Sequence, residues 1–460
     1  MKTETIAAIS TAVGNSGIGI IRISGDEAFT VADKMYKRKY GGKSLSQCPS
    51  HTIQYGYIYD GEELVDEVLV MLMRGPRSFT AEDTVEINCH GGVFAMKRIL
   101  ETAIKCGARP AQPGEFTKRA FLNGRIDLSQ AEAVMDVIQA KNKYALQSSL
   151  GQLKGSLREK ISKLRSKILY HIAKIESALD DPEHMSLENY PQILDREEAE
   201  WKKEIHALID SYENGKKMTE GIMTVIVGKP NAGKSSLLNL LIGEDRAIVT
   251  EVAGTTRDIL QEQISIHGIS LNVIDTAGIR KTEDVVEKIG VGKARSYARE
   301  ADLIIYVVDS STELDENDKE IAKLLEGKRS IVLLNKSDLE AVTREKEIRK
   351  IVGENPVILP VSAKEQKGID TLENAIRDLF FTGKLSYNDQ IYITNMRQKA
   401  ALLEAAESLD QVRESLEKNM PEDFYSIDLM SAYEALGRII GESVEEDLVN
   451  EIFSKFCMGK

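Results

Sequence analysis

The chain has 460 residues and a formal net charge of −13, with 42% hydrophobic and 29% charged residues. This length exceeds one hydrophobic core and predicts roughly three domains, while the composition is that of an ordinary soluble globular protein. No apolar run approaches the roughly 20 residues of a membrane helix, and the net negative charge opposes indiscriminate binding to nucleic acid. The four cysteines are scattered and the N-terminus lacks a signal-peptide pattern, so we expect a protein of the reducing cytoplasm.

Residues 1–118 alternate strand-like runs with turns. Three runs are rich in β-branched or apolar residues: Ile18–Ile23, Val68–Met73 and Thr84–Cys89. Segments containing glycine and proline lie between or after them, and Val93–Leu100 has a helical pattern. We therefore predict a small α+β domain. His90 precedes two glycines, and we interpret it as a structural turn residue rather than a ligand, because no cluster of His, Cys or carboxylates suggests a transition-metal site.

From about Leu128 to Tyr212 the pattern is helical. Apolar residues recur at spacings of three and four, which places them on one stripe of a long helix: Leu157, Ile161, Leu164, Ile168, Ile172, Ile175 and Leu179. The other face is basic and carries Lys154, Arg158, Lys160, Lys163, Arg165 and Lys167. It is either a solvated helix face or a surface for RNA phosphates or a partner.

Residues near 217–380 alternate apolar strands with helical segments, as in a parallel α/β sheet. Helical patterns return at Ala400–Leu416 and Leu429–Ile440, and a last helix is predicted to begin at the capping box Ser443-Val-Glu-Glu446. Helical segments on both sides of an α/β unit indicate that this unit is inserted into one helical domain. The predicted domains are residues 1–118 (α+β), 119–215 and 384–460 (the two helical parts) and 216–383 (α/β).

A phosphate-binding motif follows the strand Thr224–Val227. The sequence Gly228-Lys-Pro-Asn-Ala-Gly-Lys-Ser235 is G-x-x-x-x-G-K-S, and a helical run continues from Ser236. Glycines let backbone N–H groups turn toward phosphate oxygens, and the helix N-terminus adds partial positive charge. Lys234 can reach the β- and γ-phosphates, and Ser235 can ligate Mg²⁺.

Two further loops predict metal and γ-phosphate contacts. Gly254-Thr-Thr-Arg-Asp258 places Thr256 where it can complete the metal shell. A strand from Leu271 ends in Asp275-Thr-Ala-Gly278, where the aspartate can hold Mg²⁺ through water and Gly278 can donate its backbone N–H to the γ-phosphate.

The last two loops predict which nucleotide base is bound. The strand Ile331–Leu334 runs into Asn335-Lys-Ser-Asp338, and Ser362-Ala-Lys364 follows the strand Val357–Val361. Asp338 can accept hydrogen bonds from the N1–H and 2-amino groups of guanine, and adenine presents no such donor pair. Five elements in this order predict a P-loop GTPase that binds GTP and Mg²⁺.

The sequence also resembles the MnmE (TrmE) family of bacterial and organellar tRNA-modification GTPases over essentially its whole length. The resemblance is carried by the GTPase motifs above, Ile274-Asp-Thr-Ala-Gly-Ile-Arg280 and the tail Phe456-Cys-Met-Gly-Lys460. N-terminal motifs add to it: Gly19–Gly25, Ser78–Asp83, His90–Gly92 and Pro113–Leu128. Met458 departs conservatively from the family's usual Ile.

The resemblance implies an N-terminal folate-binding domain, a helical domain and an inserted Ras-like G domain. It implies a homodimer formed through the N-terminal domains, with G domains that pair when GTP is bound. It further implies a complex, heterotetrameric or larger, with the flavoprotein MnmG (GidA). Together the two would add a carboxymethylaminomethyl-type group to C5 of the wobble uridine of certain tRNAs, with 5-formyl- or methylene-tetrahydrofolate as one-carbon donor.

The resemblance also implies a potassium-activated GTPase. Arginine fingers of many GTPases contribute roughly 10³–10⁵ in rate; here K⁺ would take that role, held by Asn231 and by backbone carbonyls of Thr250, Val252 and Thr255. Ile279 stands where Ras-like proteins often place a water-orienting Gln, and an aliphatic side chain cannot align water. Glu287 is the candidate by family position, against the alternative that it is an ordinary surface acid.

The motifs and the resemblance together define the predicted site. Its catalytic residues are Asn231, Lys234, Thr256 and Glu287, and Mg²⁺ is held by Ser235 and Thr256. The GTP-binding residues are Gly228, Asn231, Ala232, Gly233, Lys234, Ser235, Ser236, Thr250, Glu251, Val252, Ala253, Gly254, Thr255, Thr256, Asp275, Thr276, Ala277, Gly278, Asn335, Lys336, Asp338, Ser362, Ala363 and Lys364.

Folate needs cations for its carboxylates and a carboxylate for its ring N–H donors. By family position these are Arg22, Glu86, Arg125 and Lys460. Relatives often carry Lys where this chain has Arg125, and the two cations differ in geometry. Cys457 is either a reactive thiol near the donor or a small packed tail residue.

Two rival functions share the nucleotide motifs. A regulatory ribosome-assembly GTPase of the Era type would have an RNA-binding GXXG-loop module after the G domain, which this sequence lacks. The other rival is a stand-alone folate enzyme that GTP regulates. The sequence does not distinguish which subunit carries out the carbon transfer, because the flavin chemistry would lie on a different chain.

Overall fold

In the computed structural model of the chain, the described residues are 4–184, 187–243, 261–266, 269–274, 297–380, 391–442, 446–454, 456 and 459. The chain divides into two compact units. Unit 1 comprises Met1–Met135, Gln152–Glu188 and Glu414–Lys460, and unit 2 comprises Asp136–Gly151 and Asn189–Arg413. The predicted mixture of α+β, helical and α/β parts is confirmed, while the predicted domain bounds stay a prediction. No helix among the described residues is long and apolar enough to cross a membrane.

Unit 1 contains a seven-stranded sheet. Its strands are β1 (Ile6–Ile9), β2 (Gly19–Ser24), β3 (Tyr36–Arg38), β4 (Thr52–Asp60), β5 (Glu63–Met73), β6 (Thr84–Cys89) and β7 (Arg109–Pro110). The spatial order is β3-β4-β5-β6-β2-β1-β7, and all neighbours are antiparallel except β1 and β7. The three predicted strands of this region are confirmed within a few residues at their ends.

Two helices, α1 (Ala28–Met35) and α2 (Val93–Lys105), pack on one face of this sheet. Alternate residues of the strands point toward them, because successive strand side chains face opposite sides. Ile21, Val70 and Ile87 are among the fully buried members of this core. The predicted helix at Val93–Leu100 is therefore confirmed, and it continues for a further turn.

Among the described residues, five further helices lie wholly or mostly in unit 1 and one, α5, lies mostly in unit 2. They are α3 (Glu115–Leu122), α4 (Leu128–Gln139), α5 (Lys143–Leu153), α6 (Ser156–Asp180), α13 (Glu422–Ile440) and α14 (Glu446–Ser454). Within unit 1, α6 packs along α13, and α3 packs against α14 through Ala120 and Phe453. The helix predicted near residue 446 is confirmed, whereas the capping residue Ser443 lies outside the described residues.

The apolar stripe of α6 is confirmed over most of its length, with two corrections. Leu157, Ile161, Leu164, Ile168, Ile172 and Ile175 are buried. Leu179 is 44% exposed, and Ala178 is buried in the last turn instead. Arg165 was expected on the basic face but is buried: its Nε donates to the Tyr433 carbonyl at 3.1 Å, and its Nη1 contacts Glu442. Helical periodicity alone does not show how far a covering helix extends.

The rest of the basic face of α6 behaves as a charged surface. Lys163 pairs with Glu159 one turn away at 2.6 Å, and both side chains are exposed. Arg158 lies 3.7 Å from a carboxylate oxygen of Asp127. Such contacts suit a solvated helix face; the RNA or partner surface stays a prediction.

Unit 2 contains a six-stranded sheet. Its strands are β8 (Ile222–Val227), β9 (Gln261–Ile266), β10 (Ile269–Ile274), β11 (Leu303–Asp309), β12 (Ser330–Asn335) and β13 (Val357–Pro360). The order is β13-β12-β11-β8-β10-β9, and only the β9–β10 pair is antiparallel. Its helices are α7 (Tyr190–Glu220), α8 (Lys234–Gly243), α9 (Glu316–Ala322), α10 (Glu345–Val352), α11 (Ile369–Phe380) and α12 (Met396–Glu417). The predicted parallel α/β unit is confirmed.

The α/β part is joined to α7 at both of its ends. At its entry, Asn272 of β10 donates to the Glu220 carbonyl at 2.8 Å. At its exit, the backbone N–H of Ile393 donates to the hydroxyl of Ser211 at 3.0 Å. A Cβ at Gly215 would lie 2.2 Å from the Ile393 carbonyl oxygen, so the chain crosses α7 at backbone contact there. These contacts agree with insertion of the α/β part between α7 and α12.

Candidate functional site

The predicted nucleotide loops follow neighbouring parallel strands. The phosphate-binding loop connects β8 to α8, Asn335–Asp338 follows β12, and Ser362–Lys364 follows β13. Because parallel strands share the edge at which they end, the loops meet there, and ligands of open α/β sheets bind at this edge.

The phosphate-binding loop has a backbone that few side chains allow. Gly233 has a φ of +96°, and a Cβ there would lie 2.1 Å from the side-chain nitrogen of Asn335. Asn231 also has a positive φ, at 62°, a region that asparagine tolerates better than most residues. The predicted motif thus forms a loop whose glycine is needed both for its backbone angle and for the close approach of Asn335.

The motif lysine is held against its own loop. The ammonium of Lys234 donates to the carbonyl oxygens of Gly228 and Lys229, each at 2.7 Å. Lys234 begins α8, so this cation lies at the positive end of the helix. The arrangement concentrates positive charge where phosphate oxygens bind in P-loop proteins.

Asn335 joins the three loops. Its side-chain N–H donates to the Ala232 carbonyl at 2.8 Å, and its side-chain oxygen accepts from the Ala363 N–H at 3.2 Å. Asn335 is buried, with 2% of its surface exposed. Its amide therefore works as a tie between the phosphate-binding loop and both base loops, a role that the sequence motif does not show.

The proposed base acceptor, Asp338, is oriented by Ser362. The Ser362 hydroxyl donates to Asp338 Oδ1 at 2.6 Å and accepts from the Glu365 N–H at 3.1 Å. The bond from Ser362 holds the pKa of Asp338 below its ordinary value. Asp338 is thus a carboxylate at neutral pH, as acceptance from two guanine donors requires.

Lys336 is anchored beside them. It has a φ of 61°, and its ammonium lies 2.5 Å from Asp309 Oδ2 at the end of β11. Burial opposes ionisation of Asp309, but hydrogen bonds from Lys336 and Ser311 outweigh it and lower its pKa. The Lys336 side chain is thereby tied to the end of β11.

Part of the predicted site lies outside the described residues. This part comprises Thr250, Glu251, Val252, Ala253, Gly254, Thr255, Thr256, Asp275, Thr276, Ala277, Gly278 and Glu287, together with Cys457 and Lys460 of the tail. Of the loop residues that are described, Ser235 and Ser236 lie in the first turn of α8 and are exposed, and so is Lys364.

Three predicted folate residues lie together in unit 1. Arg22 of β2 and Glu86 of β6 are cross-strand neighbours, and the Arg22 Nε and Nη2 atoms lie 2.8 and 2.7 Å from Glu86 Oε1. Both side chains are mostly buried. The guanidinium groups of Arg22 and Arg125 lie 5.1 and 5.0 Å from the centre of the Phe79 ring. Phe79 is a member of this cluster that sequence reasoning missed, although it lies in the motif Ser78–Asp83.

The C-terminal tail returns to the same sheet. Ser10 Oγ donates to the Gly459 carbonyl at 3.0 Å, just after β1, which pairs with β2. Gly459 has a φ of +88°, and a Cβ there would lie 2.3 Å from the Ile9 carbonyl oxygen. A glycine is needed at this point because the tail backbone touches the strand end directly.

His90 is held by Asp66, and its role as a structural turn residue stays a prediction. Its backbone N–H and its ring Nδ1 both contact the carboxylate of Asp66, at 2.9 and 2.7 Å, and this hydrogen bond raises its pKa. Within the ranges that the structure describes, no three His, Cys, Asp or Glu side chains form a metal-binding group.

Comparison with known proteins gives the same picture along the whole chain. The sequence matches the MnmE helical domain over residues 128–457 and the GTP-binding protein TrmE N-terminus over residues 5–125. It is 58% identical over 460 residues to the tRNA modification GTPase MnmE of Lachnoclostridium phytofermentans, with 100% of both chains covered. The proteins of the same name from Clostridioides difficile and Bacillus subtilis are 49% and 47% identical, with at least 99% of each chain covered.

Among solved structures, the G domain of the T. maritima FeoB iron transporter is 24% identical over 34% of this chain and 98% of its own, with a TM-score of 0.27. That likeness is too low to support a conclusion. The full-length relatives and the two family matches agree with the loops and strands described above, and the chain belongs to the MnmE (TrmE) family.

Proposed function

We propose that this chain is a GTPase that acts in tRNA modification, as the names of its relatives state for them. One observation carries the nucleotide half of the proposal. Asn335 ties the phosphate-binding loop to the loop of Ser362 and Ala363, and Ser362 in turn orients the Asp338 carboxylate. A base acceptor and a phosphate cradle are thus held in one hydrogen-bonded frame.

The donor set suits Mg²⁺ and K⁺. Ser235 and Thr256 would offer hydroxyl oxygens to Mg²⁺, a hard cation that prefers oxygen ligands. K⁺ would be held by Asn231 and by the carbonyls of Thr250, Val252 and Thr255. Asn231 is exposed, with a positive φ that belongs to the loop fold itself, so its amide can turn toward a bound cation. These ions would neutralise charge that develops on the phosphates, and Glu287 would orient the attacking water.

The Arg22 cluster suits a tetrahydrofolate. Arg22 Nη1 is buried and has no hydrogen-bond partner, whereas the other two nitrogens face Glu86. A buried, unpaired donor is costly, and a carboxylate or carbonyl of a ligand would satisfy it. Glu86 would accept from the ring N–H groups, Phe79 would stack, and Arg125 and Lys460 would face the glutamate carboxylates. A bound folate would supply a one-carbon unit for transfer.

The remaining parts of the proposal concern partners and place. The chain would act as a homodimer, together with the flavoprotein MnmG (GidA) in a heterotetramer or larger complex, on wobble uridines of tRNA in the cytoplasm. The open face of the N-terminal sheet supports a subunit contact, because the cross-strand neighbours Tyr55 and Leu69 are exposed on it.

Guanine recognition is tested by Asp338→Asn, with Asp370→Asn on the exposed face of α11 as matched control. Loss of two charge-assisted hydrogen bonds predicts that GTP affinity falls roughly 100-fold or more. Xanthosine triphosphate has a carbonyl where guanine has its amino group, so the asparagine amide can donate to it and its affinity should rise. Equal GTP affinity in the Asp338 variant and in the control would overturn this assignment.

The tRNA role is tested by mass spectrometry of nucleosides from bulk tRNA of a strain that lacks the chain. We expect loss of the C5-aminomethyl family of wobble uridines, restored by the wild-type chain but not by Asp338→Asn. An unchanged nucleoside profile would overturn the tRNA role and favour a GTPase of the Era type. An assay of purified components without the flavoprotein then distinguishes a stand-alone folate enzyme, which would modify tRNA alone.

A further inference from the structure

Lys229, the second residue of the phosphate-binding loop, contacts a helix outside this loop. The ammonium of Lys229 lies 2.7 Å from Asp318 Oδ2 and 3.1 Å from Asp315 Oδ2. Both aspartates belong to the start of α9, where Asp315 is the N-cap. The side chain therefore connects the loop after β8 with the helix that follows β11.

The Asp318 carboxylate is deeply buried, and both of its oxygens accept further hydrogen bonds. The Asp318 side chain is 1% exposed. Its Oδ1 accepts from the hydroxyl of Tyr306 on β11 at 2.6 Å, and its Oδ2 also accepts from the Asp315 N–H at 2.8 Å. Tyr306 is itself fully buried. A carboxylate held by a buried hydroxyl, a helix cap and a lysine has little freedom to move.

The lysine is held in its charged state. Burial tends to lower the pKa of Lys229, but hydrogen bonds and charge from Asp318 and Asp315 outweigh it and raise the pKa. The pair is more than a surface ion pair, since the Lys229 side chain is only 18% exposed. Removal of Lys229 leaves the buried Asp318 carboxylate without its cation.

The backbone of the same residue holds the catalytic lysine. The Lys229 carbonyl accepts from Lys234 Nζ at 2.7 Å and from the Ala232 N–H at 3.3 Å. A shift of Lys229 would therefore move the acceptor that orients Lys234. The chain of contacts runs from Tyr306 through Asp318 and Lys229 to the Lys234 ammonium.

We propose that Lys229 is a positioning residue for nucleotide binding: its ion pair with Asp318 and Asp315 holds the phosphate-binding loop so that the Lys229 carbonyl orients Lys234. This inference rests on the proposed GTP binding and adds a residue to it. The Lys229 side chain pairs with α9 and acts on the nucleotide through Lys234, which would reach the β-phosphate of GDP and both the β- and γ-phosphates of GTP. Its loss should therefore weaken GDP binding and weaken GTP binding at least as much.

The test compares Lys229→Met, which keeps the aliphatic stem, with Lys229→Arg, which keeps the charge. The matched control is Lys319→Met, because Lys319 pairs with Glu316 on the same helix but is exposed. Dissociation constants for fluorescent GDP and GTP analogues and the KM and kcat for GTP are measured on the full-length chain. We expect Lys229→Met to weaken both nucleotides and raise KM about tenfold, with kcat changed much less, while Lys229→Arg stays within about threefold of wild type.

A second variant keeps the test decisive if Lys229→Met folds poorly. Asp318→Asn retains an acceptor for Tyr306 but removes the charge, and it should weaken nucleotide binding in the same way. In the double variant of Lys229→Met and Asp318→Asn, the loss should be no larger than in Lys229→Met alone, because both changes break one contact. Active-site titration of the folded fraction separates weaker binding from loss of protein.

Three results would overturn the inference. One is unchanged affinity in both Lys229→Met and Asp318→Asn while the wild type binds GTP. Another is a fall in kcat without a rise in KM, which would place Lys229 in the chemical step. The third is an additive loss in the double variant. If the wild type itself did not bind guanine nucleotides, the proposed function would fail first, and this inference with it.

Discussion

A buried ion pair joins the two helices on either side of the α/β part. Glu198 of α7 has no exposed side-chain surface, and Arg413 of α12 donates an Nη2 hydrogen bond to it. The other carboxylate oxygen of Glu198 and the Arg413 Nε are buried without hydrogen-bond partners, although this Nε lies 4.0 Å from Asp195 Oδ1. The pair is therefore incompletely satisfied, and its members depend on each other.

The contribution of Glu198 to stability depends on pH. Burial raises the pKa of Glu198, and the opposing hydrogen bond from Arg413 does not cancel this. A raised pKa in the folded state means that folding favours the protonated form. The contribution of Glu198 to stability is therefore fully present below its unfolded pKa and is lost as pH rises through its folded pKa.

The variant Arg413→Met should strongly lower the free energy of unfolding at high pH. Removal of one partner of a buried pair costs about 3–5 kcal/mol, because an unpaired charge stays buried. A unit of roughly 150–250 residues shifts by about 2–4 °C per kcal/mol, so the melting temperature should fall by roughly 6–20 °C at pH 8. At pH 5.5 the fall should be smaller, since protonation of Glu198 becomes easier.

Differential scanning calorimetry at both pH values measures these shifts. Lys418→Met is the matched control, because Lys418 pairs with Glu414 of α12 one turn away and both side chains are exposed. We expect about 0–1 kcal/mol there. The double variant Glu198→Leu, Arg413→Met removes both charges and should recover most of the stability. The reasoning is refuted if Arg413→Met melts within the range of the control at pH 8, or if the double variant melts below the single one.

Three further predictions concern the two sites. Gly233→Ala places a Cβ 2.1 Å from the Asn335 side chain at a φ of +96°, so binding of a fluorescent GDP analogue should be lost while circular dichroism is unchanged; retained binding would contradict this. Ser362→Ala removes the donor that lowers the pKa of Asp338, so on acidification GTP binding should begin to fall at a higher pH than in wild type; identical pH profiles would count against it. Arg22→Lys keeps the charge but loses the planar group that meets both a carboxylate and an aromatic ring, so calorimetric affinity for 5-formyl-tetrahydrofolate should fall about tenfold or more, with GTP affinity as internal control.

Contiguous motifs of this chain could be read directly from the sequence. The loop of Gly228–Ser235, the loop of Asn335–Asp338 and the long helix α6 depend on local backbone geometry and on short-range periodicity. A loop of this type needs glycine at positive φ, and a helix needs one apolar stripe, so both leave a pattern in neighbouring residues.

Contacts between distant segments depended on the tertiary structure. Arg165 looked like part of a basic face, yet α13 covers it and supplies the Tyr433 carbonyl that accepts its Nε–H. Lys229 lies in the loop after β8 and Asp318 lies in α9, and nothing in either sequence context marks them as partners. Arg22 meets Glu86 only because β2 and β6 pair in one antiparallel register. Strand register, helix covering and burial are properties of packing over the whole unit, so each of these residues acquires its role only when segments far apart in the chain come together.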